Sequence, residues 1–250
     1  MQTSLADRES EVWARLQTVT DPELDEPVTD LQFITKADVD AQGRVSIGFR
    51  LPTYWCAANF SYLMADDMRR AVLALPWVTR VDVVLGEHMY GDKINAGLAQ
   101  GHSFEQTFGE EADGNLDDLR QTFLVKALQR RQAALLHHLL GAGHATDALV
   151  AVTLAGLAAL ALDAEGAKLR ERYIERRAVV GPVRPELLAF IDAEGARLQT
   201  ETLERYVRAL RRVGVNAEFN SALCRGLLSA RFDLETPYTP AQPGPAPSLN

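Results

Sequence analysis

Apolar and polar residues alternate along residues 44–51. Val45, Ile47, Phe49 and Leu51 fall on one side, and Arg44, Ser46, Gly48 and Arg50 on the other. A period of two predicts a half-buried strand. The period changes just beyond it. From Ala57 to Leu75 the positions Phe60, Leu63, Met64, Met68, Ala71 and Leu75 follow helical spacing, so strand passes into helix through the short turn Pro52–Cys56. Upstream, Val12, Leu16 and Val19 predict a helix over about residues 7–19. Asp21-Pro22-Glu23-Leu24 ends it, because proline disfavours the helical conformation in the residue before it. A strand over 30–39 joins the 44–51 strand through Asp40-Ala41-Gln42-Gly43, which reads as a hairpin loop. Pro76-Trp77 leads into a last strand at 78–85. The order is αββαβ, a small α/β layer with a mixed sheet.

Beyond residue 91 the pattern changes. Gly91 to Gly114 holds five glycines and no periodicity, which predicts a linker or surface loop. Helical spacing then runs over about 116–140, 145–177, 184–213 and 217–230, with no strand pattern. Asp163-Ala164-Glu165-Gly166-Ala167-Lys168-Leu169 recurs as Asp192-Ala193-Glu194-Gly195-Ala196-Arg197-Leu198. The echo fits either two similar helices from a duplicated hairpin or chance in an alanine-rich chain. A glycine at the same place in each suggests close helix–helix approach. Solvated helix faces are the default for Glu165 and Glu194, since di-iron bundles also use Glu-x-x-His pairs and none occurs here. The fold class is therefore α+β: an αββαβ domain over 1–95, a linker over 96–115, an all-helical bundle over 116–232, and a disordered tail over 233–250. Five prolines in residues 236–250 motivate the tail.

Charge narrows the function classes. Residues 1–114 carry 9 Lys+Arg against 19 Asp+Glu, while residues 115–250 carry 17 against 15. An acidic first half has no basic stripe to displace phosphate counterions, which excludes a nucleic-acid partner. The longest apolar run, Ala148 to Leu162, is shorter than the ~20 residues a membrane-spanning helix needs. No membrane partner is expected. The polar start Met1–Ser10 has no signal-peptide character. The expected location is cytoplasmic.

Two cysteines far apart, Cys56 and Cys224, make neither a disulfide framework nor a zinc-finger spacing. Cys56 stands at the strand-to-helix turn. Thr53 is placed to cap the helix, and Cys56 then falls among the free N–H groups of its first turn, where a thiolate is favoured. Cys224 sits in a helix near Leu223, Leu227 and Leu228 and reads as a small hydrophobe. His88 follows the strand ending at Leu85, so its loop can approach the Cys56 turn. A Cys56/His88 pair could bind iron or zinc, or form a thiolate–imidazolium pair. Two ligands do not complete a four-ligand site. Such a metal would be transient, shared across a homo-oligomer, or completed by a client. Tyr54-Trp55 is equally compatible with the core and with an exposed partner contact. No Ser-His-Asp order, phosphate-binding glycine loop or dinucleotide fingerprint occurs.

Taken in order, Asp21-Pro22-Glu23-Leu24, Val28-Thr29-Asp30-Leu31, Pro52-Thr53-Tyr54 with Cys56, and Val81-Asp82-Val83-Val84 resemble the small domain of metal–sulfur (iron–sulfur) cluster assembly factors. The Pro-Thr-Tyr-x-Cys-Ala stretch is most similar to the PaaD branch, the maturation proteins of phenylacetyl-CoA oxygenase. The resemblance covers about residues 8–95. It implies a non-enzymatic maturation factor that helps install iron or an iron–sulfur cluster, transiently bound, in a client metalloenzyme. The family's cysteine falls on Cys56, and its acidic and hydroxyl positions on Asp21, Glu23, Asp30 and Thr53. Long versions with helical extensions resemble proteins encoded beside soluble di-iron monooxygenases, which makes a di-iron hydroxylase the implied client. There are departures. Gln32 replaces the glycine of the family's Asp-Leu-Gly, Ala57 replaces the proline after the cysteine, the turn before the cysteine is one residue tighter, and the cysteine-rich tail of PaaD is absent. Two other readings stand beside it: an interaction scaffold in which Cys56 is structural, and a thiol enzyme using Cys56 and His88.

Overall fold

A computed structural model describes residues 4–112 and 114–234. The expected tail lies almost wholly outside the described residues. The chain forms two compact units. A sheet unit takes the described residues within 1–19, 27–101 and 218–250, and a helical unit takes 20–26 and 102–217.

In the sheet unit, α1 (Leu5–Leu16), β1 (Ile34–Val39), β2 (Arg44–Phe49), α2 (Ala58–Leu73) and β3 (Arg80–Leu85) follow the expected αββαβ order. The strands lie in the order β1-β2-β3, with β1 antiparallel and β3 parallel to β2. The alternation in β2 buries Val45 and Ile47, which pair in register with Val81 and Val83. Val12 and Leu16 of α1 and Leu63, Met64, Met68 and Val72 of α2 complete this core. The β1–β2 loop closes on Asp40, whose Oδ1 accepts the Gln42 and Arg44 N–H groups at 2.9 and 2.8 Å, with Gly43 at φ 79°.

The stretch expected as a linker is helical instead. It holds α3 (Gly91–Gln100), α4 (Phe104–Phe108) and a single 3₁₀ turn (Gly109–Glu111). Its glycines misled because most punctuate helix ends: Gly101 and Gly109 stand just past α3 and α4 with positive φ. Asn95 of α3 pairs like a strand neighbour with Leu85, its Oδ1 accepting the Leu85 N–H and its Nδ2 donating to the Leu85 carbonyl, both at 2.9 Å. This bond pair fixes where the 86–90 loop begins and ends.

The helical unit is built on α5 (Leu116–Gly141), α6 (Thr146–Ala151), α7 (Leu154–Ala159), α8 (Ala164–Arg177) and the first part of α9 (Leu203–Phe232). Leu135, Leu136, Leu139, Leu157, Tyr173 and Phe190 form its buried centre. The helix expected over 145–177 is three helices. Thr153 and Asp163 restart it by capping α7 and α8 through the Gly156 and Gly166 N–H groups. The helix expected over 184–213 begins only at Leu203, because 184–191 instead bonds its backbone to the α6–α7 junction: Leu154 N–H to the Leu187 carbonyl and Ala189 N–H to the Val152 carbonyl, both at 2.8 Å. Among the described residues only isolated β-bridges follow β3, and no helix is long and apolar enough to cross a membrane.

Candidate functional site

The Cys56 turn is held between the end of β2 and the start of α2. Thr53 does not cap the helix. The N-cap is Ala57, without a side-chain cap bond, and Cys56 immediately precedes it. The Thr53 hydroxyl instead lies 3.1 Å from Cys56 Sγ. The pairing suits a thiol or a thiolate, since a hydroxyl both donates and accepts. Cys56 is half-buried, whereas Trp55 beside it is 72% exposed and Tyr54 half exposed. The aromatic pair is therefore surface, not core.

His88 reaches the same turn from the loop after β3. The residue is 6% exposed. Its Nδ1 accepts the Tyr90 N–H at 3.1 Å, so the neutral ring carries its proton on Nε2, which donates to the Cys56 carbonyl at 2.8 Å; Ser61 Oγ lies 3.4 Å from the same nitrogen. Burial pushes the imidazole below its ordinary value. The bond to Cys56 opposes this, and the nearby Arg231 cation adds to it. Met89 N–H donates to the Tyr54 carbonyl at 2.8 Å, joining the two loops a second time. Met89 itself is half exposed, and with Tyr54 and Trp55 it gives the site an apolar surface.

Cys56, Thr53 and His88 thus come together, though not as ligands around one point. His88 holds the Cys56 backbone, and both of its ring nitrogens are taken by main-chain groups. Cys56 Sγ and the Thr53 hydroxyl are the donors left facing each other. Among the described residues, no group of three or more His, Cys, Asp or Glu side chains is placed to hold a metal ion. This donor set does not build a resident metal site.

The three acidic residues have other placements. Asp30 belongs to the sheet unit, where its Oδ1 accepts from Gln17 Nε2 at 2.8 Å and ties the end of α1 to the following loop. Asp21 and Glu23 belong to the helical unit. Asp21 Oδ1 accepts the Glu23 and Leu24 N–H groups at 2.9 and 2.8 Å, so it shapes its own turn. Burial pushes Asp21 up to about 6, against those bonds and helped by the charges of Glu23 and Glu26. Four residues on is a group that the sequence reading passed over. Asp25, with φ 55°, is buried between Arg131 of α5 (2.5 and 2.9 Å) and Arg176 of α8 (3.0 and 3.2 Å). Arg131 also reaches Glu175 Oε2 at 2.6 Å. Asp25 directly follows the Asp-Pro-Glu-Leu stretch, and its partners lie more than a hundred residues away, so no local spacing marks it. Arg231, 180 residues from Leu51, was missed for the same reason, and Ser61 because its approach to His88, 27 residues on, leaves no local pattern.

Residues 9–83 match the family described as iron-sulfur cluster assembly protein. The matched segment contains the Cys56 turn, β1 and β2, and ends within β3. A comparison with curated proteins finds no match.

Proposed function

We propose that this chain is a non-enzymatic maturation factor that relays iron or an iron–sulfur cluster to a client metalloenzyme through Cys56. The match of residues 9–83 supports a general role in iron–sulfur cluster assembly, in a family of non-catalytic assembly factors. The observation that carries the finer reading is the Cys56 turn itself. A half-buried thiol faces a hydroxyl that can stabilise its anion, on a backbone clamped by His88, beside an exposed Tyr54–Trp55–Met89 surface. One thiolate with no second protein ligand holds cargo weakly and exchanges it readily, which suits a relay. Thr53 orders the thiol, Asp21 and Glu23 order the Asp-Pro-Glu-Leu turn, Asp30 orders the end of α1, and His88 acts as a backbone clamp. The PaaD-like turn favours a multicomponent di-iron monooxygenase as client, with the helical region after residue 116 recognising it.

The scaffold reading rests on the same exposed aromatic surface, which could bind a client with Cys56 inert. Co-expression with a di-iron hydroxylase separates the two. Cys56→Ser should fold, bind the client and fail to restore its iron content and activity, while Cys224→Ala matures it normally. A Cys56→Ser variant that matures the client as well as the parent does would overturn the relay in favour of the scaffold.

A further inference from the structure

We propose that Arg231 is a positioning residue for the Cys56 turn, a proposal that deepens the assembly reading above and takes its purpose from it. Arg231 lies in the last turn of α9, and that end is firmly terminated. Asp233 adopts a left-handed φ of 50°, and the Leu234 N–H bonds back to the Ser229 carbonyl at 3.2 Å, the six-to-one bond of a Schellman stop. From this fixed point the guanidinium, its side chain 19% exposed, reaches two loops at once. Nη1 donates to the Leu51 carbonyl at 3.2 Å. Nη2 donates to the Glu87 carbonyl at 2.9 Å and lies 3.3 Å from Glu87 Oε2. Leu51 opens the turn that carries Thr53 and Cys56, and Glu87 immediately precedes His88.

These are the same two segments that meet through Met89 and Tyr54 and through His88 and Cys56. The arginine therefore closes a latch across the base of the site. Phe232 steadies it, with its ring 5.0 Å from the Arg231 Cζ and 4.6 Å from that of Arg50 on the β2 side. A planar fork holds two carbonyls in separate directions, which an ammonium, a compact point donor, does less well. Arg231 stands outside residues 9–83, so the latch belongs to this chain's extension and not to the matched segment. Releasing it frees the Leu51 and Glu87 segments to part, and with them the geometry that presents the Cys56 thiol.

The test uses the full chain carrying Cys224→Ala, so that Cys56 is its single thiol. Amide exchange at Met89 and alkylation of Cys56 by iodoacetamide are followed at one pH, well below the melting transition, for Arg231→Ala, Arg231→Met and Arg231→Lys. Both rates should rise about tenfold in the Ala and Met variants, the order expected for a lost charge-assisted bond, with Lys intermediate. The Met variant keeps an apolar stem against Phe232. If it behaves like the parent, packing alone is at work and the latch is wrong. Rates within about twofold of the parent in every folded variant, the range of an exposed and inconsequential pair, also overturn the proposal, as does faster Met89 exchange with unchanged alkylation. If the Ala variant fails to fold, Met and Lys still decide. No client enters these measurements, so the latch and the relay fail separately.

Discussion

Replacing Asp25 should be among the most damaging single changes in the helical unit. Its carboxylate is 5% exposed and accepts from two arginines, Arg131 at 7% and Arg176 at 17% exposure. Among the described residues, truncation to alanine leaves Arg131 with the Arg172 carbonyl and the mostly exposed Glu175, and Arg176 with the Thr20 hydroxyl. Breaking a buried pair from one side costs about 3–5 kcal/mol, because the remaining charge stays buried. Alanine at φ 55° adds about 1 kcal/mol of backbone strain. Asparagine tolerates that φ and keeps one acceptor oxygen, so Asp25→Asn should lose about 2–3 kcal/mol, the charge-dependent part alone. Trp13, Trp55 and Trp77 all lie in the sheet unit, so the assay is urea unfolding read by far-UV circular dichroism. Combining Asp25→Asn with Arg131→Met should recover part of the loss, since the more buried of the two stranded cations is then gone while Arg176 stays, with a coupling of about 2 kcal/mol. A loss below about 1 kcal/mol for Asp25→Ala would refute the reasoning, because the cluster would then behave as a surface ion pair.

Two further substitutions probe the folded backbone. Asp21 has its folded value raised to about 6 from 3.8, so between these the native state holds a proton that the unfolded chain has released. Its contribution therefore falls as pH rises from about 4 through 6, and Asp21→Asn, which keeps an acceptor for the Glu23 and Leu24 N–H groups, should flatten that slope and stabilise the chain at pH 7 by about 1–2 kcal/mol. Thermal melts from pH 4 to 7 check this, and an unchanged slope would contradict it. Gln32 sits at φ 59°, where the resembled family carries glycine, so Gln32→Gly should raise stability by about 0.5–1 kcal/mol once the added freedom of the unfolded chain is subtracted. A lower melting temperature in that variant would count against a strained Gln32.

Local periodicity made the sheet unit legible. The β2 alternation, the Asp40–Gly43 loop and the apolar stripe of α2 all rest on contacts within a few residues, which spacing reports directly. The Cys56 turn was visible for the same reason, but the Thr53 hydroxyl, expected to cap the helix, lies against the Cys56 sulfur instead. Where only distant partners decide, the pattern was silent. Arg231 reaches Leu51 from 180 residues away and Asp25 finds Arg131 at a separation of 106, and neither leaves a trace in spacing.

The repeated Asp-Ala-Glu-Gly-Ala shows the division most sharply. At Asp163 it caps and begins α8, and a side chain on Gly166 would collide with His138 Nε2, which meets Asp163 at 3.0 Å. At Asp192 the same five residues form a tight turn instead. Gly195 takes φ 84°, and Asp192 Oδ1 accepts the Glu194 and Ala196 N–H groups at 3.1 and 2.7 Å. The sequence by itself determined the two repeated segments and left open two similar helices or chance, and the shared glycine, which suggested close helix–helix approach, serves a turn at Gly195 instead. Which one continued as a helix was decided by the tertiary structure. The first has Tyr173 one helical stretch downstream to bury in the core, while the second is held in a turn by the Ile191–Arg197 bridge between buried Phe190 and Leu198. Five residues carry too little intrinsic preference to oppose burial of the side chains that flank them.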